Sequence, residues 1–491
     1  MRNDVRDLHL VLEAKVKLIA LESWDEVRVL ETLTQLAIQR ALPMYVWSIS
    51  QGLNSLDFFE LEKTETTDPA LALRQVLAAK GQGLYVFCDL HPFLADNPLV
   101  VRLLKEVAMA TEQDKPTIIL VSHQLDLPVE VQRLSARLSL ALPSEEELHG
   151  IVREEALRWS RLNQGTRVKT DQHTLSQVVS NLQGMNHADA RMLARRLICD
   201  DGAITQEDVP ELNKAKFALL NLDGVLTYEA DVARFAEVGG LANLKRWLGQ
   251  RRTAFLRNSG TDLPKGVLLV GVQGSGKSLA AKAVAGLWGL PLLRLDFGSL
   301  YNKFFGETER NLREALRMAE QMSPCVLWMD EIEKGVASGE LDGGVSQRVL
   351  GTLLTWLAER KQPVFTVATA NAIHRLPPEL VRKGRFDELF FVDLPTLATR
   401  KEIFAIHLTK RELAVSSFRL EELAQQSEGF SGAEIEQVIV AAFYTCNARG
   451  IALSQAALIE EIQKTVPLSV TLAESLTALR EWAQDRTVPA E

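Results

Sequence analysis

One stretch limits the possible folds more than any other. Residues 271–278 read Gly-Val-Gln-Gly-Ser-Gly-Lys-Ser, which fits the phosphate-binding pattern G-x-x-x-x-G-K-[ST]. The preceding residues 266–270, Gly-Val-Leu-Leu-Val, form a short apolar run suited to a buried parallel strand, and residues 279–287 carry a helical pattern. The motif works only in that strand–loop–helix setting. Gly271, Gly274 and Gly276 let the backbone curl so that several N–H groups face a polyphosphate, and the helix N-terminus adds its positive dipole end. In this pattern Lys277 reaches the β- and γ-phosphates, and the Ser278 hydroxyl is placed for Mg²⁺.

The rest of the chain supplies a sheet for that loop. In the second half, strands are expected at 266–270, 292–295, 325–329, 365–369 and 389–392 with helices between them, and the chain from 398 to about 482 reads as helical. The first half alternates in the same way. Strands are expected at 17–22, 44–50, 84–89 and 116–122, with helices at 25–40, 70–79 and 100–111, then a helical part from 144 to about 200. Both halves are therefore expected to be α/β with a parallel sheet. The boundaries expected are a first domain at 1–205 (α/β core 1–143, helical 144–205), a linker at 206–230, a large α/β subdomain at 231–395 and helices at 396–491.

The halves read as copies. Leu-Ser-Gln-Val-Val-Ser-Asn-Leu-Gln-Gly (175–184) leads into Met185-Asn186-His187-Ala188-Asp189. Leu-Glu-Glu-Leu-Ala-Gln-Gln-Ser-Glu-Gly (420–429) leads into Phe430-Ser431-Gly432-Ala433-Glu434. Upstream, Leu140-Ala141-Leu142-Pro143-Ser144 parallels Val392-Asp393-Leu394-Pro395-Thr396, and the strand ending at Asp89 parallels the one ending at Asp330. The chemistry is missing from the first copy. The residues after its strand 44–50 are Gln51-Gly52-Leu53-Asn54-Ser55, with no Gly-Lys-[ST], and Asp89 is followed by Leu90 rather than a second acid. The first half is thus expected to be a degenerate, non-hydrolysing copy; the alternative is an unrelated α/β domain.

In the second half, the run Cys325-Val326-Leu327-Trp328-Met329 delivers Asp330 and Glu331 to a strand's C-terminal end, where open parallel sheets place ligand sites. Asp330 suits Mg²⁺ as a hard oxygen ligand, and Glu331 suits polarisation of an attacking water. The next strand ends at Asn371, whose amide could orient that water, and Arg382 and Arg385 lie in a loop from which one or both could reach a neighbour's γ-phosphate.

These residues carry a resemblance. Residues 235–483 resemble the AAA clade of AAA+ ATPases: a P-loop NTPase parallel sheet with a C-terminal helical lid, here preceded by a degenerate AAA-like α/β domain. The whole chain resembles an AAA family found in cyanobacteria, some other bacteria and some algal plastid genomes. The resemblance implies ATP and Mg²⁺ as cofactors. It places Val238, Gly239 and Gly240 beside adenine, and Gly274, Ser275, Gly276, Lys277, Ser278 and Leu279 around the phosphates. Asn371 matches the sensor asparagine, Arg382 and Arg385 the paired arginine fingers, His407 the lid histidine, and Gly432-Ala433 the lid contact. Lys303, Phe304, Phe305 and Gly306 resemble the clade's pore loop, which lines a hexamer's central channel.

The expected function is that of an ATP-hydrolysing homo-hexameric ring acting on a protein substrate. The alternatives are a nucleotide-switched scaffold and a nucleic-acid motor. A formal net charge of −9 argues against general nucleic-acid binding. No uncharged apolar run reaches membrane-span length and the N-terminus is polar. Four cysteines without metal-type spacing suit a reducing compartment, expected to be the cytoplasm, or the plastid stroma for a plastid-encoded chain.

Overall fold

The structure, a computed structural model, describes residues 3–55, 66–95, 97–110, 115–123, 125–220, 225–230, 237–257, 263–301, 308–336, 345–382 and 384–491. The expected pore-loop residues Lys303, Phe304, Phe305 and Gly306 lie outside the described residues. Two compact units form, one from residues 1–162 and 185–196, the other from residues 163–184 and 197–491.

The first unit is built on six strands: β1 (Leu18–Glu22), β2 (Met44–Ser48), β3 (Gly52–Ser55), β4 (Leu84–Cys88), β5 (Thr117–Ser122) and β6 (Ala136–Ser139). Their order is β3-β2-β4-β5-β1-β6, parallel throughout except for the β2–β3 hairpin. Strands covered on both faces read as continuous apolar runs, and side chains alternate between the faces. Leu18, Ala20, Phe87 and Leu120 accordingly pack on one face, and Ile19, Leu21, Val86 and Val121 on the other.

In the second unit a two-stranded ribbon of β7 (Lys169–Thr170) and β8 (Ala203–Ile204) precedes a seven-stranded sheet. That sheet contains β9 (Leu226–Glu229), β10 (Gly266–Gly271), β11 (Leu292–Asp296), β12 (Cys325–Asp330), β13 (Val364–Ala370), β14 (Glu388–Val392) and β15 (Val488–Pro489). The order is β15-β14-β10-β13-β12-β11-β9, with only β9 antiparallel. Val267 and Leu269 pack on one face with Trp328 and Phe365, and Leu268 and Val270 on the other with Leu327 and Ala368. A separate helical bundle follows, from Leu397–Thr409 to Gln455–Lys464, around Phe404, Leu423, Ile435, Ile439 and Leu458.

Two expectations change here. The stretch 206–230, expected as a linker, holds the helix Asp208–Leu220 and the edge strand β9. Phe217 from that helix enters the core of the large sheet, and Lys216, fully buried, donates to the Gln183 carbonyl at 2.5 Å. Its mixed composition hid a helix with an apolar face. The second change concerns the duplication. With the edge strand β15 set aside, the parallel strands of both sheets share one spatial order. Numbering those strands within each unit as they occur in the chain, the order is fifth, first, fourth, third, second: β6-β1-β5-β4-β2 and β14-β10-β13-β12-β11. The first-unit counterpart of β10 is therefore β1, not the strand at 44–50, and the loop to compare with residues 272–276 is Ser23-Trp24-Asp25.

Candidate functional site

The loop after β10 opens into the helix Lys277–Trp288. Gly274 has φ +77° and Gly276 φ +95°, conformations in which a side chain would be strained. Lys277 is buried and folds back on the loop, with Nζ donating to the carbonyls of Gly271 at 2.9 Å and Val272 at 2.6 Å. Burial pulls its ammonium down to about 8, while Glu333, Asp330 and Glu331 act in the opposite direction.

Asp330 and Glu331 leave β12 beside this loop. Asp330 accepts from the Thr369 hydroxyl at 2.7 Å, from Arg294 at 3.1 Å and, more distantly, from the Ser278 hydroxyl at 3.4 Å. Arg294 also lies over the Trp328 ring. Glu331 has φ +50°, unusual for a residue with a side chain, and its N–H donates to Thr369 Oγ1 at 3.0 Å. That turn points its carboxylate at Asn371, whose Nδ2 donates to Glu331 Oε1 at 2.9 Å, and Lys334 pairs with the other oxygen. The Asn371 backbone is held from below, its N–H and that of Ala372 donating to the buried Glu333 carboxylate at 2.9 and 3.2 Å.

A cavity of about 520 Å³ joins these groups to the helical bundle. Val238, Gly239, residues 274–279, Asp330, Glu331, Asn371, His407, Gly432 and Ala433 all line it. The Gly240 N–H instead donates to Glu402 at 2.9 Å, which ties the segment 238–240 to the helix Leu397–Thr409. The Ala433 N–H, near the start of the helix Gly432–Ala448, donates to the Gly274 carbonyl at 3.2 Å. His407 is mostly buried and pairs with Glu436 at 3.4 Å; burial lowers its pKa although Glu436 raises it. Arg382 and Arg385 do not line the cavity. Arg382 is exposed, and Arg385 donates to the Leu354 carbonyl at 2.8 Å.

Thr369, Arg294, Glu333, Glu402 and Glu436 were not read from the sequence. Thr369 could have been, as the polar residue nearest the end of the strand beside β12. The others act across the fold and leave no local pattern. The donor set is all oxygen around Ser278 and Asp330, which suits Mg²⁺, and the positive-φ loop suits a polyphosphate. Among the described residues no helix is long and apolar enough to cross a membrane.

Comparison with known proteins agrees with this geometry. Residues 267–394 match the ATPase family associated with various cellular activities (AAA), and residues 417–461 the AAA+ lid domain. Residues 4–140 and 146–223 match the N-terminal and second domains of SpoVK-like AAA ATPases. The chain is 34% identical to the AAA domain-containing protein ycf46 of Guillardia theta, over 98% of this chain and 94% of the relative. It is also 34% identical to the ycf46 protein of Pyropia yezoensis, over 98% of each. The proteasome-activating nucleotidase of Aeropyrum pernix is 39% identical over 44% of this chain and 56% of that protein.

The buried lysine gives a pH signature. Its folded value of about 8 lies below the unfolded 10.5, so its burial costs stability below pH 8, and the cost fades as pH rises toward 10.5. Lys277→Met removes the cost. At pH 7 the variant is expected to be the more stable by roughly 3 kcal/mol, with most of the gap gone by pH 10. Melting scans of both proteins across that range check this; a gap independent of pH contradicts it.

Proposed function

The chain belongs to the AAA ATPase family, in the full-length form of the ycf46 proteins, and from that membership we propose that it hydrolyses ATP with Mg²⁺ as a ring, a homo-hexamer, that remodels or threads a protein substrate. The observation that carries the ATPase part is the convergence of Lys277, Ser278, Asp330, Glu331 and Asn371 on one cavity. In this reading residues 274–279 cradle the phosphates, with Lys277 leaving the loop carbonyls for the β- and γ-phosphates. Ser278 and Asp330 would hold Mg²⁺, which neutralises charge on the phosphates when bound.

Glu331 takes a proton from the attacking water as general base, and Asn371 fixes the direction of its carboxylate. Val238, Gly239, Gly240 and His407 border the base and ribose, and Gly432 and Ala433 close the lid over the loop. The position of Arg382 and Arg385 outside their own cavity supports a site completed by a neighbouring subunit. The first 205 residues are proposed to be a non-hydrolysing copy, and the location cytoplasmic, or stromal for a plastid-encoded chain.

Trans completion has a direct test. The Arg382→Ala/Arg385→Ala double variant is expected to bind ATP but hydrolyse it at least about a hundredfold more slowly. Mixed with Lys277→Ala subunits it should regain measurable turnover, because intact fingers then face an intact loop. No recovery in mixtures shown to co-assemble would mean a self-contained site.

The protein-remodelling part rests on Phe304 by family resemblance. Phe304→Ala is expected to leave the melting temperature and basal hydrolysis nearly unchanged while abolishing stimulation by unfolded proteins. A buried Phe would instead cost about 3–5 kcal/mol. A large drop in melting temperature removes the threading argument. Intact stability with no effect of any protein moves the reading to a nucleotide-switched scaffold.

A further inference from the structure

The first unit repeats one contact of the second, between a helix start and the loop after the first parallel strand, with a different acceptor. In the second unit, Ser431 caps the helix Gly432–Ala448 by accepting from the Glu434 N–H at 3.3 Å, and Glu434 accepts back from the Ser431 N–H at 2.7 Å. That leaves the Ala433 N–H to meet the phosphate loop at the Gly274 carbonyl. In the first unit, Asn186 caps the helix His187–Cys199 by accepting from the Asp189 N–H at 2.8 Å, and Asp189 accepts back from the Asn186 side chain at 2.7 Å. Met185 is buried before it as Phe430 is before Ser431. The Ala188 N–H, the counterpart of Ala433, meets the loop after β1. Its acceptor is Asp25 Oδ2 at 3.2 Å.

Asp25 has a second task. It is the N-cap of the helix Glu26–Arg40, its Oδ1 accepting from the Arg28 N–H at 3.1 Å. One carboxylate, 6% exposed, therefore faces two helix N-termini, the position in which helix dipoles and orphan amides favour an anion. Asp25 and Ala188 border an open cleft of about 650 Å³, and the loop that carries Asp25 is short. Residues 23–25 alone link β1 to its helix, against residues 272–276 after β10, and none of the three is glycine. Two cations of that cleft pair with carboxylates, Arg195 with Glu155 at 2.9 Å and Arg191 with Glu154 at 3.1 Å, and Arg28 donates to the Ala141 carbonyl at 2.8 Å.

We infer that the Asp25 carboxylate takes over, in the first unit, the contact that the Gly274 carbonyl makes in the second, and clamps the lid-like helix to the sheet domain, so that this unit stays closed whether or not nucleotide is present. The comparison rests on reading residues 271–278 as the phosphate loop, but the test below reads the first unit alone, so either can fail without the other.

Asn caps helices as well as Asp does, but its amide nitrogen cannot accept a second N–H. In the full-length protein, Asp25→Asn is therefore expected to leave exchange at the Arg28 amide within about twofold of wild type and to speed exchange at the Ala188 amide about tenfold. Hydrogen–deuterium exchange at single-amide resolution by mass spectrometry reads both. Asp25→Ser, whose shorter hydroxyl reaches only its own helix, should behave likewise and serves if the Asn protein misfolds. Saturating MgATP should change neither amide in wild type. Unchanged exchange at Ala188 in the variants, or slowing of both amides by MgATP, would overturn the inference.

Discussion

The carboxylate of Asp330 is the point on which the site depends. It ends β12, and its partners come from different strands and helices of one sheet: Thr369 from β13, Arg294 from β11 and Ser278 from the helix after β10. Only a parallel sheet with β12 between β11 and β13, and β10 just beyond, brings those ends together. The same Thr369 hydroxyl accepts the Glu331 N–H, and so holds the positive-φ turn that presents Glu331 to Asn371. The apolar strands beneath serve mainly to fix these positions, because buried cores are close-packed and transmit small displacements.

The first unit shares the framework of the second with other residues at the strand ends. Its sheet order is the same, and the Ser122 hydroxyl donates to Asp89 at 2.9 Å as Thr369 does to Asp330. The register agrees, since Cys88 pairs with Val121 as Met329 pairs with Ala368. Asp89 also carries the positive φ that Glu331 has in the other unit. A single acid thus inherits the position of one and the turn of the other. The differences gather where phosphate would bind, in a loop shortened to Ser23-Trp24-Asp25.

Much of this was legible in the sequence, and the reasons for the rest are physical. The phosphate loop, the acids after β12 and the helix start at Gly432-Ala433 are local patterns, because turn geometry and capping demand particular residues at fixed spacing. Sheet order is not local. That is why the sequence points to the loop after the second strand as the counterpart of the phosphate loop, although the counterpart follows β1. Glu333 reads as one more acid in a charged segment, and only the fold shows it buried under Asn371. Residues 488–489 carry no strand signal of their own, yet β15 extends the sheet by pairing with β14. The stretch 206–230 lacks strong periodicity, and its helix is settled by burying Phe217 in a core built by other residues.

The central claim is that the duplicated chain holds one nucleotide site, after β10, and that its first copy is clamped by its own carboxylate. Counting bound nucleotide tests it most directly. Equilibrium binding of ATP to the full-length protein with Mg²⁺ is predicted to saturate at one nucleotide per chain, and at none in Lys277→Ala. Two nucleotides per chain, or binding that survives Lys277→Ala, would contradict the account.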